Sequence, residues 1–187
     1  VTRKHTDAVR PPVTLPASGA PSPLFVTRPT LPPMAQVVAM LEEVWTNRTL
    51  TNCGPLHQRL EKQLCAYFGV PHLTLVANAT LGLMLAVRQL DLRGEVITTP
   101  FSFVATGHSL LWGGVTPVFV DIDASTLNID PARIEQAITP RTTAIMAVHC
   151  FGHACDVVAI EDIARRYGLK VIYDAAHAFG IRLDNGR

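Results

Sequence analysis

Lys170-Val171-Ile172-Tyr173-Asp174-Ala175-Ala176-His177 is an apolar run that ends abruptly in a carboxylate, two small residues and an imidazole. Gly168 stands before it and Gly180 after it. A run without polar alternation, bounded in this way, reads as a buried strand of a parallel sheet, because such a sheet has no solvated face. Asp174 then sits at the carboxyl end of that strand. In open α/β sheets the ligand crevice lies along that edge, which makes Asp174 a candidate functional residue. The competing reading is an Asp that caps the turn following the strand.

Working outward, the same grammar repeats. Apolar runs at His72 to Ala77, Glu95 to Thr99, Thr116 to Ile122, Thr143 to Val148 and Lys170 to Tyr173 predict five strands. Helical patterns at about Thr80 to Leu90, Val104 to Leu111, Pro131 to Ile138 and Val157 to Tyr167 lie between them. Regular β-α alternation predicts an α/β fold, a mostly parallel sheet with helices on both faces. Asp130-Pro131 is a helix start, an N-cap followed by proline in the first turn. Upstream, Met34 to Trp45 and Leu56 to Phe68 carry apolar residues at helical spacing, and Gly69 follows the second as a C-cap. From Val1 to Pro33 the prolines at 11, 12, 16, 21, 23, 29, 32 and 33 exclude a sustained helix or ladder, so residues 1–33 are expected to be a disordered tail or arm.

The composition narrows the function classes. An apolar content of 48% over 187 residues suffices for a full core, and a formal net charge of +1 with interspersed signs gives no electrostatic footprint for nucleic acid or a membrane surface. No stretch approaches a membrane span or a signal peptide, which points to the cytoplasm. Cys53, Cys65, Cys150 and Cys155 form no C-x-x-C pair and read as reduced packing thiols. His149, Cys150, His153 and Cys155 are chemically suited to a metal, yet their spacing matches none of the usual zinc patterns, so no metal is expected.

Parallel strands would bring the residues just beyond each carboxyl end together: Asn78-Ala79-Thr80, Pro100 to Phe103, Asp121 to Asp123, His149, and Asp174 to His177. Asn78-Ala79-Thr80 opens a helix directly after an apolar run. Its backbone N–H groups and the Thr80 hydroxyl would form a phosphate cup, or merely an N-cap. The Phe103 ring is suited to lie over a planar ligand, or to be a core aromatic. Asp174 is suited to hold the proton of a heterocyclic nitrogen, as proteins do when they tune pyridoxal phosphate. A carboxylate, a phosphate cup and a stacking ring are the contacts that cofactor requires.

These residues carry a resemblance. Asn78-Ala79-Thr80, Gly94 to Pro100 with Phe103 to Thr106, Pro117 to Asp123, Asn128 to Pro131, Ala137 to Thr139, Val148-His149 with Gly152, and Asp174 to Gly180 resemble, in order, the DegT/StrS-type sugar aminotransferases. The likeness runs from about Leu31 to Ile181. It implies that residues 34–187 are the N-terminal portion of the large pyridoxal 5'-phosphate domain of a fold-type-I aminotransferase, incomplete at the C-terminus. It implies transfer of an amino group from glutamate to a keto group of a nucleotide-linked sugar, by a homodimer when full length. By the same likeness Ala79 and Thr80 hold the cofactor phosphate, Phe103 stacks on the ring, Asp174 pairs with the pyridinium nitrogen, and His177 lies beside the ring or its phenolic oxygen. Gly94 to Val104 and Asp174 to Phe179 look most like transaminases that make 4-amino-4,6-dideoxy sugars on thymidine diphosphate.

One departure stands out. In the family the lysine that bonds the cofactor follows the Asp-Ala-Ala-His segment by a couple of dozen residues, and here only Lys4, Lys62 and Lys170 occur. Lys4 is in the expected tail and Lys62 on the polar side of a helix. Lys170 starts the strand that Asp174 ends, roughly 13 Å away at the opposite edge of the sheet. The resemblance therefore implies that the cofactor-bonding lysine lies beyond Arg187, the last residue of this sequence. The expectation is a front half that does not transaminate alone. A sugar dehydratase on the same scaffold, or a non-catalytic half-protein, are the alternatives.

Overall fold

The computed structural model describes residues 25 and 27–182, in two compact units that divide between Thr49 and Leu50. The expected arm lies mostly outside the described residues; 27–33 carry neither helix nor strand. In the first unit, α1 (Met34–Asn47) ends on Arg48 in the left-handed region, and none of its residues is buried.

The second unit opens with α2 (Pro55–Phe68), which has proline in its first turn and closes on Gly69 at φ 68°, whose N–H donates to the Cys65 carbonyl. There follow α3 (Ala79–Gln89), β1 (Glu95–Thr98), α4 (Val104–Trp112), β2 (Thr116–Phe119), α5 (Pro131–Gln136), β3 (Thr142–Val148), a single tight turn at Cys150–Gly152, α6 (Val157–Tyr167) and β4 (Lys170–Asp174). The four strands are all parallel, in the order β2-β1-β3-β4. Asp130 caps α5 by accepting from the Ala132 N–H at 2.9 Å, and Asp156 caps α6 by accepting from the Ala159 N–H at 3.0 Å.

Strand alternation divides the core between the two faces of the sheet. Val96, Ala144, Met146 and Ile172 pack with Leu83 and Val87 of α3 and Leu110 of α4. Ile97, Ile145 and Ala147 pack with Ile134 of α5 and Ile160, Ile163 and Ala164 of α6. Successive residues of one strand thus feed opposite layers, which is why the central strands read as unbroken apolar runs. Ile97 and Ile145 are fully buried, so truncating either to Ala costs about 2–5 kcal/mol.

The run His72 to Ala77 is not a strand: it carries neither helix nor strand and lies outside the sheet. Its Leu75 N–H donates to Glu61 Oε1 at 3.0 Å instead of to a ladder. An apolar run becomes a strand only where a neighbour accepts its backbone groups, and the neighbours along the sheet are β2, β1, β3 and β4 alone among the described residues. The third expected strand is also shorter than its apolar run. β2 ends at Phe119, and Ile122 instead makes an antiparallel bridge with Ile129.

Candidate functional site

From β1 the chain runs to β2 on one side, and β3 then lies on the other side of β1, so the strand order reverses between β1 and β3. Loops leaving the carboxyl ends of such a pair diverge and leave a crevice. Here that crevice is a cavity of about 350 Å³, lined by Pro100, Phe101, Ser102 and Phe103 beyond β1, by Val148, Cys150 and Phe151 at the end of β3, and by His177 beyond β4.

Asp174 ends β4 and is buried, 7% exposed. Its carbonyl accepts from the His149 N–H at 3.0 Å, which continues the β3–β4 pairing one step past the strands. Its Oδ1 accepts from the Ala176 N–H at 3.2 Å, so it does cap the turn that follows. Its Oδ2 accepts from the Thr106 hydroxyl at 2.8 Å, a contact spanning 68 residues of sequence that no turn cap needs. The Ser102 and Thr106 hydroxyls lie 2.5 Å apart. With the Thr106 proton on the carboxylate, the short contact falls to the single Ser102 proton, for which the Phe103 carbonyl at 3.2 Å competes, and the two hydroxyls link the cavity wall to Asp174. Asp174 itself stands behind that wall and has no ion-pair partner among the described residues.

His149 stacks on Tyr173 with ring centroids 5.1 Å apart. Its Nδ1 accepts from the Cys155 N–H at 3.1 Å, which places the proton of the neutral ring on Nε2. Burial pushes its imidazole below the usual range, and the Asp174 charge only partly opposes that. A neutral His149 leaves the Asp174 carboxylate without a cation, which costs free energy unless a ligand supplies one. Its two oxygens each take one hydrogen bond and retain lone pairs. A ring nitrogen carrying a proton fits that donor set.

Of the other expected residues, Phe103 and His177 do lie on the cavity. Phe103 is 71% exposed. His177 and Phe151 are parallel and offset, centroids 5.9 Å apart and planes 4° apart. Ala79 and Thr80 form the first turn of α3, where Asn78 accepts from the Leu81 N–H at 3.0 Å, but they are not part of the cavity lining. Lys62 is exposed on α2, and Lys170 Nζ donates to the Leu90 carbonyl at 2.5 Å at the opposite edge of the sheet. Lys4 lies outside the described residues. So does Arg187, with residues 183–186 before it, and the placement of the cofactor-bonding lysine beyond Arg187 therefore has no counterpart in the described geometry.

Two of the four cysteines and histidines beyond β3, His149 and Cys155, have hydrogen-bond partners of their own. Cys155 donates its thiol proton to the Val148 carbonyl at 2.9 Å, and burial pushes its thiol up to about 12. No group of three or more metal-binding side chains gathers among the described residues.

Sequence reasoning missed Ser102, Thr106 and Asn128. The signal for the first two was a pair of hydroxyls four residues apart at the start of a helix, which brings them to one face. For Asn128 it was a lone amide between Leu127 and Ile129; it is 2% exposed and bonds the backbone at Cys150, His153 and Ala154.

Residues 34–187 match the family model described as the DegT/DnrJ/EryC1/StrS aminotransferase family. The chain is 60% identical over 164 residues to a dTDP-4-amino-4,6-dideoxy-D-glucose transaminase of Shigella dysenteriae, covering 88% of this chain and 45% of the relative. It is 56% identical over 162 residues to the protein of the same name in Escherichia coli, covering 87% and 44%. Among solved structures, DesI in the presence of its TDP-sugar product superposes with a TM-score of 0.84 at 40% identity, over 88% of this chain and 42% of that one. NtdA from Bacillus subtilis with bound cofactor PMP gives 0.76 at 37%, over 79% and 34%. The chain thus spans somewhat under half the length of these two curated relatives.

Proposed function

The chain belongs to the DegT/DnrJ/EryC1/StrS aminotransferase family, and from that premise we propose that it is the cofactor-binding part of a pyridoxal 5'-phosphate-dependent transaminase. The whole protein moves an amino group from glutamate to the keto carbon of a dTDP-4-keto-6-deoxyhexose. The names of the two enterobacterial relatives and the TDP-sugar product of DesI support the substrate class. The observation that carries the reading is Asp174: a buried carboxylate with no ion-pair partner among the described residues, bonded to Thr106 beside an aromatic cavity at the reversal of strand order.

In this proposal Asp174 accepts from the protonated ring nitrogen, and Thr106 and the Ala176 N–H fix the direction in which the carboxylate faces. Phe103 covers the ring and excludes water from one face. His177 lies beside the ring, and the N–H groups of Ala79 and Thr80 hold the phosphate at the start of α3. When bound, the pyridine ring supplies an electron sink for the negative charge left as a substrate proton departs. The lysine that bonds the cofactor is assigned to sequence beyond Arg187, as the family resemblance implies; neither Lys62 nor Lys170 lines the cavity, and Lys4 lies outside the described residues. The complete enzyme works as a homodimer in the cytoplasm; no helix among the described residues is long and apolar enough to cross a membrane.

Titrating the 187-residue chain with pyridoxal 5'-phosphate tests the reading. Saturable binding is expected, weakened at least about tenfold in Asp174→Asn by loss of a charge-assisted hydrogen bond, with no lysine adduct trapped by borohydride. Binding indifferent to Asp174→Asn would remove the carboxylate from the site, and a trapped Lys62 or Lys170 would overturn the assignment of the lysine.

A further inference from the structure

Phe151 is the unexplained residue of the cavity. Its backbone lies in the left-handed region, φ 50° and ψ 25°, which disfavours any residue with a side chain. Its ring is 65% exposed, so burial does not offset that strain. Gly152 follows at φ 83°, where an added Cβ would stand 3.1 Å from the His177 carbonyl. The strained pair places the Phe151 ring edge-on to Phe101, centroids 6.2 Å apart, and parallel to His177 with a lateral offset, centroids 5.9 Å apart. One ring thereby joins the loops that leave β1, β3 and β4.

What holds the loop there is Asn128. Its Oδ1 accepts from the Cys150 N–H at 2.9 Å, and its Nδ2 donates to the His153 carbonyl at 3.1 Å and the Ala154 carbonyl at 3.0 Å. Three of the four hydrogen bonds an amide can make are thus spent on the backbone immediately before and after Phe151. Asn128 is held in turn: its carbonyl accepts from the Asp123 N–H at 2.9 Å, and the neighbouring Ile129 is buried and bridges to Ile122. We infer that Asn128 is a positioning residue, whose amide clamps the loop so that Phe151 is held in its strained backbone as the shared ring between Phe101 and His177 on the cavity wall. Its bearing on the reaction rests on the function proposed above.

The test needs no ligand. In the 187-residue chain the His177 ring protons, assigned by their loss in His177→Gln, lie within reach of the ring current of Phe151, whose centroid is 5.9 Å from that of the imidazole, and Phe151→Leu shifts them. Asn128→Ala and Asn128→Asp are expected to move them as far as Phe151→Leu does, while the amide signals of Ile97 and Ile145 in the sheet stay in place. Asn128→Asp retains the acceptor for Cys150 and loses both donors, so it probes the carbonyl side of the clamp. A merely stabilising Asn128 would lower the melting temperature and leave His177 unmoved, and that result overturns the proposal. Should the Asn128 variants not fold, hydrogen exchange in the unaltered chain decides: a Cys150 amide protected as well as those of β3 supports the clamp, and one exchanging at the rate of an open loop overturns it. A parallel titration with pyridoxal 5'-phosphate keeps the two readings apart, because failed binding with a normal His177 response contradicts the function and leaves the clamp standing.

Discussion

At Asp174 two roles meet in one carboxylate, and they predict different consequences for a single atom change. Oδ1 caps a turn, as a structural Asp would, and Oδ2 takes a buried hydroxyl from another element. Asp174→Asn preserves the shape and removes the charge. In an enzyme that contains these residues together with the cofactor-bonding lysine, turnover is expected to fall by a factor on the order of a hundred or more, because the interaction strengthens as negative charge enters the ring. A residue that only capped the turn would lose about 1 kcal/mol of stability or less and keep its turnover. Thr106→Val should remove about 1–3 kcal/mol, since it strips a donor from a buried charged acceptor, whereas Thr106→Ser restores it; equal melting temperatures for the two would deny the hydrogen bond. His149 adds a pH dependence. Burial lowers its folded pKa, so below about pH 6.5 the unfolded chain binds more protons than the folded one, and stability falls until the folded ring protonates as well. Urea unfolding between pH 7.5 and 5.5 should show that decline, flattened in His149→Asn; an unaltered slope in the variant would assign the decline elsewhere. That Asp174, Phe103 and His177 gather at the carboxyl edge of the sheet was legible in the sequence, because a charge, a ring and an imidazole stood at the ends of apolar runs. Thr106 and Asn128 were not, because their partners lie 68 and 22 or more residues away, and only the fold supplies those distances.

The elements themselves were legible wherever hydrophobic periodicity and tertiary partner agreed. Val157–Tyr167 follows its pattern residue for residue, capped by Asp156 and ended by Gly168 at φ 66°. His72 to Ala77 shows the opposite case, in which the run was present and its ladder partner was not. That segment leads into the first turn of α3, and its described tie is the Leu75 N–H to Glu61, whose carboxyl this backbone bond and His57 hold below its usual range. Glu61→Ala should therefore speed amide exchange at Leu75 and leave the amides of β1 and β3 unchanged. Exchange at Leu75 that is indifferent to the substitution would show that something other than Glu61 holds the segment. Edge position explains a further difference in reading: Lys170 to Tyr173 was expected to be buried on both faces, but β4 is an outer strand of the described sheet and only Ile172 and Asp174 in it are buried.

Across residues 50–182 the architecture does one thing for the proposed chemistry: it covers both faces of a parallel sheet with helices and leaves its carboxyl edge open where the strand order reverses. The reversal was not readable from the alternation of runs, which fixes that strands are parallel but not which of them are neighbours. Once the order is known, the cavity falls between the loop beyond β1 and the segments beyond β3 and β4, with the carboxylate at the end of β4 behind it. The proposed function requires that pyridoxal-type cofactors bind there with the ring nitrogen on Asp174. A crystal structure of the 187-residue chain with pyridoxamine 5'-phosphate tests it most directly. The account predicts the ring in the crevice between β1 and β3, its nitrogen within hydrogen-bonding distance of Asp174 and Phe103 over its face; a cofactor bound elsewhere, or one in the crevice with its nitrogen turned away from Asp174, would contradict it.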